Sequence, residues 1–148
     1  MSNTIRAYTF RVELLGSHDP SITRTFTIPA SSTFQRLHHA IQYTFGWQNS
    51  HLHAFTFEPA RTEISTGAIS LSPQTVLMNI GMGEENASDY SGIESGVPYF
   101  FEKELRLSDV WEENGKARRS VVRHGQVVSL YYLYDFGVSA ANLRLTNV

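Results

Sequence analysis

The hydrophobic period changes within a dozen residues, and that change constrains the fold more than any other feature of the chain. Phe34, Leu37, His38, Ile41 and Phe45 fall at i, i+3, i+4, i+7 and i+11, the stripe of an amphipathic helix. Gly46 ends that pattern. Then His51, His53, Phe55 and Phe57 recur at every second position, with Leu52, Ala54 and Thr56 between them. This is the pattern of a strand with one buried face. A helix and a strand that each carry one apolar face, joined by so short a connection, are expected to bury those faces in a common layer.

The flanking segments extend this frame. Tyr8, Phe10, Val12 and Leu14 alternate with Thr9, Arg11 and Glu13, and Ile22, Phe26 and Ile28 alternate with threonines. Gly16 to Pro20 between them is turn chemistry, so the opening reads as a β-hairpin over 5–15 and 22–28. Ser32 and Gln35 have the spacing of a capping box and predict the helix start. Residues 59–104 are rich in Ser, Thr, Gly and Pro; within them 75–80 fits a short strand or helix. Nine acidic residues between Glu84 and Glu113 face only Lys103 and Arg106, which reads as a solvated acidic loop. Leu107–Trp111 reads as a short helix capped by Ser108 and ending near Gly115, and Lys116, Arg118, Arg119 and Arg123 as a solvated basic turn. Gln126–Phe136 is a strong strand, with Leu130, Tyr132, Tyr134 and Phe136 on one face. A last strand spans 141–147, with Leu143 and Leu145 inward. The expected fold is α+β: two layers, an antiparallel sheet of strands of mixed length, and one main helix packed across it. With 148 residues and no linker, residues 1–148 are read as a single domain.

Composition excludes some functions. A net charge of −2 provides no basic face for nucleic acid. No apolar run approaches a membrane span. There is no cysteine, hence no disulfide framework and no thiol nucleophile. The N-terminal residues pass directly into a strand pattern without a signal-peptide core, so a cytoplasmic location is expected. Aromatic residues at 12% suit a heavy core or an apolar pocket.

Several motifs in order carry a family resemblance. Pro29-Ala-Ser-Ser-Thr-Phe-Gln-Arg-Leu-His38 leads to Ile41-Gln-Tyr-Thr-Phe-Gly-Trp47 and Ser50-His-Leu-His-Ala-Phe55. Leu105-Arg-Leu-Ser-Asp109 and Tyr134-Asp-Phe-Gly137 follow. In this order the chain resembles the Ri-plasmid ORF-three-like family (pRiA-type), also called the passenger TnpR family of an insertion element. The resemblance covers most of the chain except roughly residues 59–100. It implies a helix packed on an antiparallel sheet and no defined reaction. Family members continue Tyr-Asp-Phe-Gly with two acidic residues, a Trp and a His. This chain continues with Val138-Ser-Ala-Ala-Asn142, the mark of a divergent member.

The candidate site gathers around the histidines. His51 and His53 share the apolar face of one strand, and His38 lies within about 40° of the centre of the helix stripe at 100° per residue. An imidazole beside a carboxylate serves as acid or base, and a tyrosine donates a proton or holds an oxyanion. The expected catalytic set is therefore His51 and His53 as acid or base, Asp135 as orienter and Tyr134 as donor. Trp47, His38, Phe55 and Tyr132 are the expected substrate-binding residues. The bland reading stands beside it: core histidines bonded to backbone or to Asp135, and a packed aromatic strand. Three imidazoles also suit zinc, yet no HExxH-type or cysteine pattern is present, and no metal ligand is assigned. The leading expectation is a protein that binds a small organic molecule, with cofactor-free acid–base chemistry of the isomerase, cyclase or dehydratase kind. The alternatives are a non-catalytic interaction module, such as a mobile-element accessory protein, and a histidine-metal hydrolase.

Overall fold

The computed structural model describes residues 6–48, 52–59, 76–83, 96–134 and 141–148. The alternating opening forms the antiparallel hairpin β1 (Ala7–Leu14) and β2 (Thr23–Pro29), with Phe10 opposite Phe26 and Tyr8 opposite Ile28. The helix α1 (Phe34–Phe45) follows, then β3 (His53–Glu58), β4 (Met78–Gly81) and β5 (Tyr99–Phe101). Two single-turn helices, α2 (Ser108–Trp111) and α3 (Arg118–Val121), precede the short hairpin β6 (Val122–Arg123) and β7 (Gln126–Val127). β8 (Ser129–Tyr134) and β9 (Ala141–Asn147) complete the chain. The main sheet has seven strands in the order β2-β1-β9-β8-β3-β4-β5. The α+β class and the helix-on-sheet layering agree with the sequence.

Register explains why one face of this sheet is the core. Val12 lies opposite Leu145, Leu145 opposite Leu130, Leu130 opposite Phe57 and Phe57 opposite Met78. The next row runs Leu14, Leu143, Tyr132, Phe55 and Ile80. Since the side-chain period is two, a one-residue slip would turn both rows to the other face. Phe34, Leu37 and Ile41 of α1 are fully buried on this side. Phe34 sits edge-on to Phe55 at 5.4 Å and to Phe57 at 6.1 Å. Burial of each such side chain stabilises the fold by roughly 1.5–3 kcal/mol.

Several local expectations need correction. Thr33, not Ser32, caps α1. Thr33 has extended backbone and its hydroxyl accepts from the Arg36 N–H. Ser32 is instead held by its backbone, whose carbonyl accepts from Leu107 N–H. Ser108 does not cap α2; Leu107 occupies the cap position without a side-chain bond, and the Asp109 carboxylate accepts from Arg106 N–H at 2.8 Å. Of the two alternatives read over 75–80, the strand is found at 78–81, because Met78 and Ile80 alternate against Phe57 and Phe55. β5 pairs with β4 in parallel, the one parallel pairing among the described strands. The basic stretch is not a plain turn: it contains α3 and leads into a two-residue hairpin turn at His124 and Gly125, both at positive φ. Positive φ at both central positions matches the twist of the flanking strands. Consequently the strand expected over 126–136 begins as β7 and resumes as β8.

Candidate functional site

At one end of the layer the hydrocarbon core gives way to buried polar groups. His38 comes from the middle of α1 and His53 from the first position of β3. Their rings lie face to face, 3.5 Å between centroids and 6° from parallel. They are 1% and 2% exposed, so the stack is closed to bulk solvent. His38 reaches it because it follows Phe34 by four residues and so shares its helix face. His53 reaches it because it shares its strand face with Phe55 and Phe57.

Each ring has a defined partner. The Tyr132 hydroxyl accepts from the Gln42 amide N–H at 2.8 Å and lies 2.7 Å from His38 Nδ1. The amide nitrogen donates to the hydroxyl, and the His38 tautomer decides whether the hydroxyl or Nδ1 supplies the proton of their shared bond. Burial raises the Tyr132 pKa well above the ordinary tyrosine value. The Gln42 hydrogen bond opposes that rise, while Tyr134 and Glu102 add to it. Tyr132 therefore acts as a neutral phenol. His53 Nε2 lies 2.6 Å from a carboxylate oxygen of Glu102, itself 4% exposed. With the Nε2–H donated to Glu102, Nδ1 is the basic atom of a neutral His53.

The position of Glu102 is fixed by its backbone. Its N–H donates to the carbonyl of Gly81 at the end of β4, and its carbonyl accepts from Gln35 N–H in the first turn of α1. Glu102 is thus tied to the sheet on one side and to the helix on the other. Gly81 has a further constraint, since an added Cβ there would lie 1.7 Å from the Tyr99 hydroxyl.

The aromatic rim follows from the end of α1. Gly46 adopts the left-handed conformation at φ 70°, and Trp47 N–H donates to Gln42 carbonyl. This helix-ending geometry lays the Trp47 ring on Tyr134 at 5.1 Å and 8°, with Phe45 at 4.8 Å. Tyr134 lies opposite His53 in the β3–β8 register.

The expected residues therefore divide. His38, His53, Tyr132, Tyr134 and Trp47 are brought together. Phe55 is a fully buried core ring enclosed by Phe34 and by Tyr132 at 5.0 Å. His51 and Asp135 lie outside the described residues. The carboxylate on His53 is Glu102, which the sequence reading had placed in an acidic solvated stretch. Gln42, a polar residue outside the apolar stripe named above, joins the cluster because it follows His38 by four residues. Among the described residues no three His, Asp or Glu side chains converge as metal ligands, and no helix is long and apolar enough to cross a membrane.

Comparison with known proteins supports the fold and the family. The chain is similar to the crystal structure of a protein of unknown function, MM3350 from Methanosarcina mazei Go1. The TM-score is 0.60 at 23% identity, covering 96% of this chain and 58% of that one. That likeness bears on the fold alone, and this chain spans less than two thirds of its neighbour. No match is found among curated proteins. The family model described as plasmid pRiA4b ORF-3-like protein matches residues 6–140. The chain belongs to the plasmid pRiA4b ORF-3-like family.

Proposed function

We propose that the protein binds a small organic molecule where His53, Tyr134 and Trp47 meet, and that His53 moves a proton on it without a cofactor. One observation carries this reading: His53 is held by a buried carboxylate at 2.6 Å while its ring face is covered by a second imidazole. Glu102 orients His53, directs its basicity to Nδ1 and stabilises the imidazolium that forms when Nδ1 takes a proton. Such a base suits isomerisation, cyclisation or dehydration, in which one group removes and returns a proton. Tyr132 and Gln42 set the orientation of His38 from behind.

The test is native mass spectrometry of the untagged protein, followed by ligand titration of His53→Gln and Glu102→Gln. The expected result is an organic adduct on the wild-type chain that weakens at least tenfold in both variants. An adduct retained equally by both variants would contradict the proposal.

A second reading has its own support. β2 is an edge strand, paired only with β1 among the described strands, and beside it Ile22 is exposed. An unpaired strand edge is a docking site for another chain. A non-catalytic interaction module, such as a mobile-element accessory protein, would use it. A complex in gel filtration that Thr25→Pro abolishes, and that His53→Gln leaves intact, would favour this reading.

A further inference from the structure

At the far end of the sheet from the histidines, three cations gather around one concavity. Lys116, Arg118 and Arg119 lie within four residues, and none of them makes an ion pair among the described residues. The neighbouring carboxylates are otherwise engaged: Glu112 pairs with Arg6 at 3.2 Å and Asp109 accepts from Arg106 N–H. Glu113 alone remains beside them.

The segment carrying these cations is pinned. Gly115 N–H donates to Glu112 carbonyl, Ala117 N–H to Asp109 carbonyl and Arg118 N–H to Gly115 carbonyl. A Cβ at Gly115 would strike the Asp109 carbonyl at 2.3 Å, so only glycine lets the chain pass so close. Arg118 is further held by its guanidinium, which donates to Trp111 carbonyl at 3.0 Å.

Two concavities flank Arg118. One, of about 440 Å³, is bounded by Trp111, Arg118, the Gly125 turn, Ser129 and the strand end Thr146–Asn147. The other, of about 560 Å³, is bounded by Glu113, Lys116, Arg118 and Arg119. Both volumes are in the range of small-ligand sites. The second concavity is cationic, the first offers amides and hydroxyls from Gln126, Ser129, Thr146 and Asn147, and Arg118 lines both. Clustered cations favour an anion, and the polar concavity favours hydroxyl groups.

We propose that this end of the molecule is a second binding site, for a small polyhydroxylated phosphate ester. The phosphate sits on Arg118 between Lys116 and Arg119, and the hydroxylated body lies along Ser129 and Asn147. The site is separate from the histidine cluster, since it uses the start of β8 and the end of β9 rather than their other ends.

The experiment is an amide NMR titration of the full chain with ribose 5-phosphate, with ribose and inorganic phosphate as separate probes. The expected result is saturable shifts at Gly115, Arg118, Gly125 and Asn147, tighter for ribose 5-phosphate than for phosphate, and none with ribose. Lys116→Gln/Arg119→Gln removes two exposed charges that make no structural bond, so the variant keeps the fold and weakens binding at least tenfold. Unsaturable shifts, or equal affinity in that variant, overturn the site. Equal affinity for phosphate and ribose 5-phosphate overturns the polyol assignment.

Discussion

The two ends of the layer between α1 and the sheet are built on opposite principles. At one end Phe34, Phe57, Phe10 and Trp111 pack ring against ring, with Trp111 at 5.3 Å from Phe10 and 5.7 Å from Phe57. At the other, about one and two turns along the same helix, His38 and Gln42 meet His53, Tyr132 and Glu102. The first end needs only shape and volume. The second requires every donor to find its acceptor, since an unsatisfied polar group in so dry a place is costly. A fold that already has a hydrocarbon core gains little stability from the second arrangement. The difference teaches that packing stability does not account for the polar end, and departures from local rules of this kind are where functional sites are sought first.

The largest expected effect is at the hydrocarbon end. Phe57→Ala removes a fully buried ring and should cost about 3–5 kcal/mol in urea unfolding. Close behind comes Glu102→Leu, which leaves His53 facing no carboxylate and should cost about 3 kcal/mol. The comparison is sharpened by His53→Phe/Glu102→Leu. Replacing both partners with apolar groups should recover most of the Glu102→Leu loss, whereas no second substitution of that kind rescues Phe57→Ala. If the double variant is no more stable than Glu102→Leu, the buried pair is itself a stabilising element and the contrast between the ends fails.

A third prediction uses Tyr132. Its pKa is raised by burial, so the unfolded chain releases this proton at lower pH than the folded one. Between the two pKa values the folded state binds more protons, and stability falls as pH rises. The decline should begin near pH 10, with a slope approaching about 1.4 kcal/mol per pH unit from this one group. Tyr132→Phe should flatten that slope and, at neutral pH, cost roughly 1–3 kcal/mol by leaving Gln42 and His38 without the hydroxyl. Thermal unfolding between pH 8 and 11 checks both. An unchanged alkaline slope in the variant would assign the decline to Tyr8 and Tyr99, whose pKa values burial also raises.

Legibility in the sequence follows the same division. The hydrocarbon end was readable because periodicity reports it: Phe10 and Val12, Phe34 and Leu37, and Phe55 and Phe57 each repeat at the spacing of their element. His38 and His53 were readable for the same reason, since they occupy apolar positions in those repeats. Their partners were not. Gln42 and Glu102 are polar residues, and periodicity assigns such residues to solvent. Glu102 was further hidden by eight other acidic residues in the same stretch. The signal that distinguishes it is local: it follows Tyr99-Phe-Phe101 directly, at the end of a strand that pairs inside the sheet. Gln42 carries a comparable signal, at four residues from His38 and eight from Phe34. The pairing of β5 with β4 is long-range, and no single-sequence pattern encodes it.

The smallest effect separates two neighbouring residues at the start of α1. Thr33 closes the helix by accepting from Arg36 N–H, while the next two amides, Phe34 and Gln35, donate to the carbonyls of Leu105 and Glu102. The segment that carries Glu102 to His53 is thus also what satisfies the open end of the helix. Thr33→Ala should cost about 1 kcal/mol, and Ser32→Ala less, because Ser32 acts through its backbone. The informative measurement is amide exchange at Gln35 in Thr33→Ala. If loosening the cap speeds exchange at Gln35 and also weakens the His53–Glu102 contact, seen as a shift of the His53 ring resonances, the two ends of the layer are mechanically joined through residues 102–105. If Gln35 exchanges faster while His53 does not respond, Gly81 alone holds Glu102, and the polar end is set by the sheet rather than by the helix.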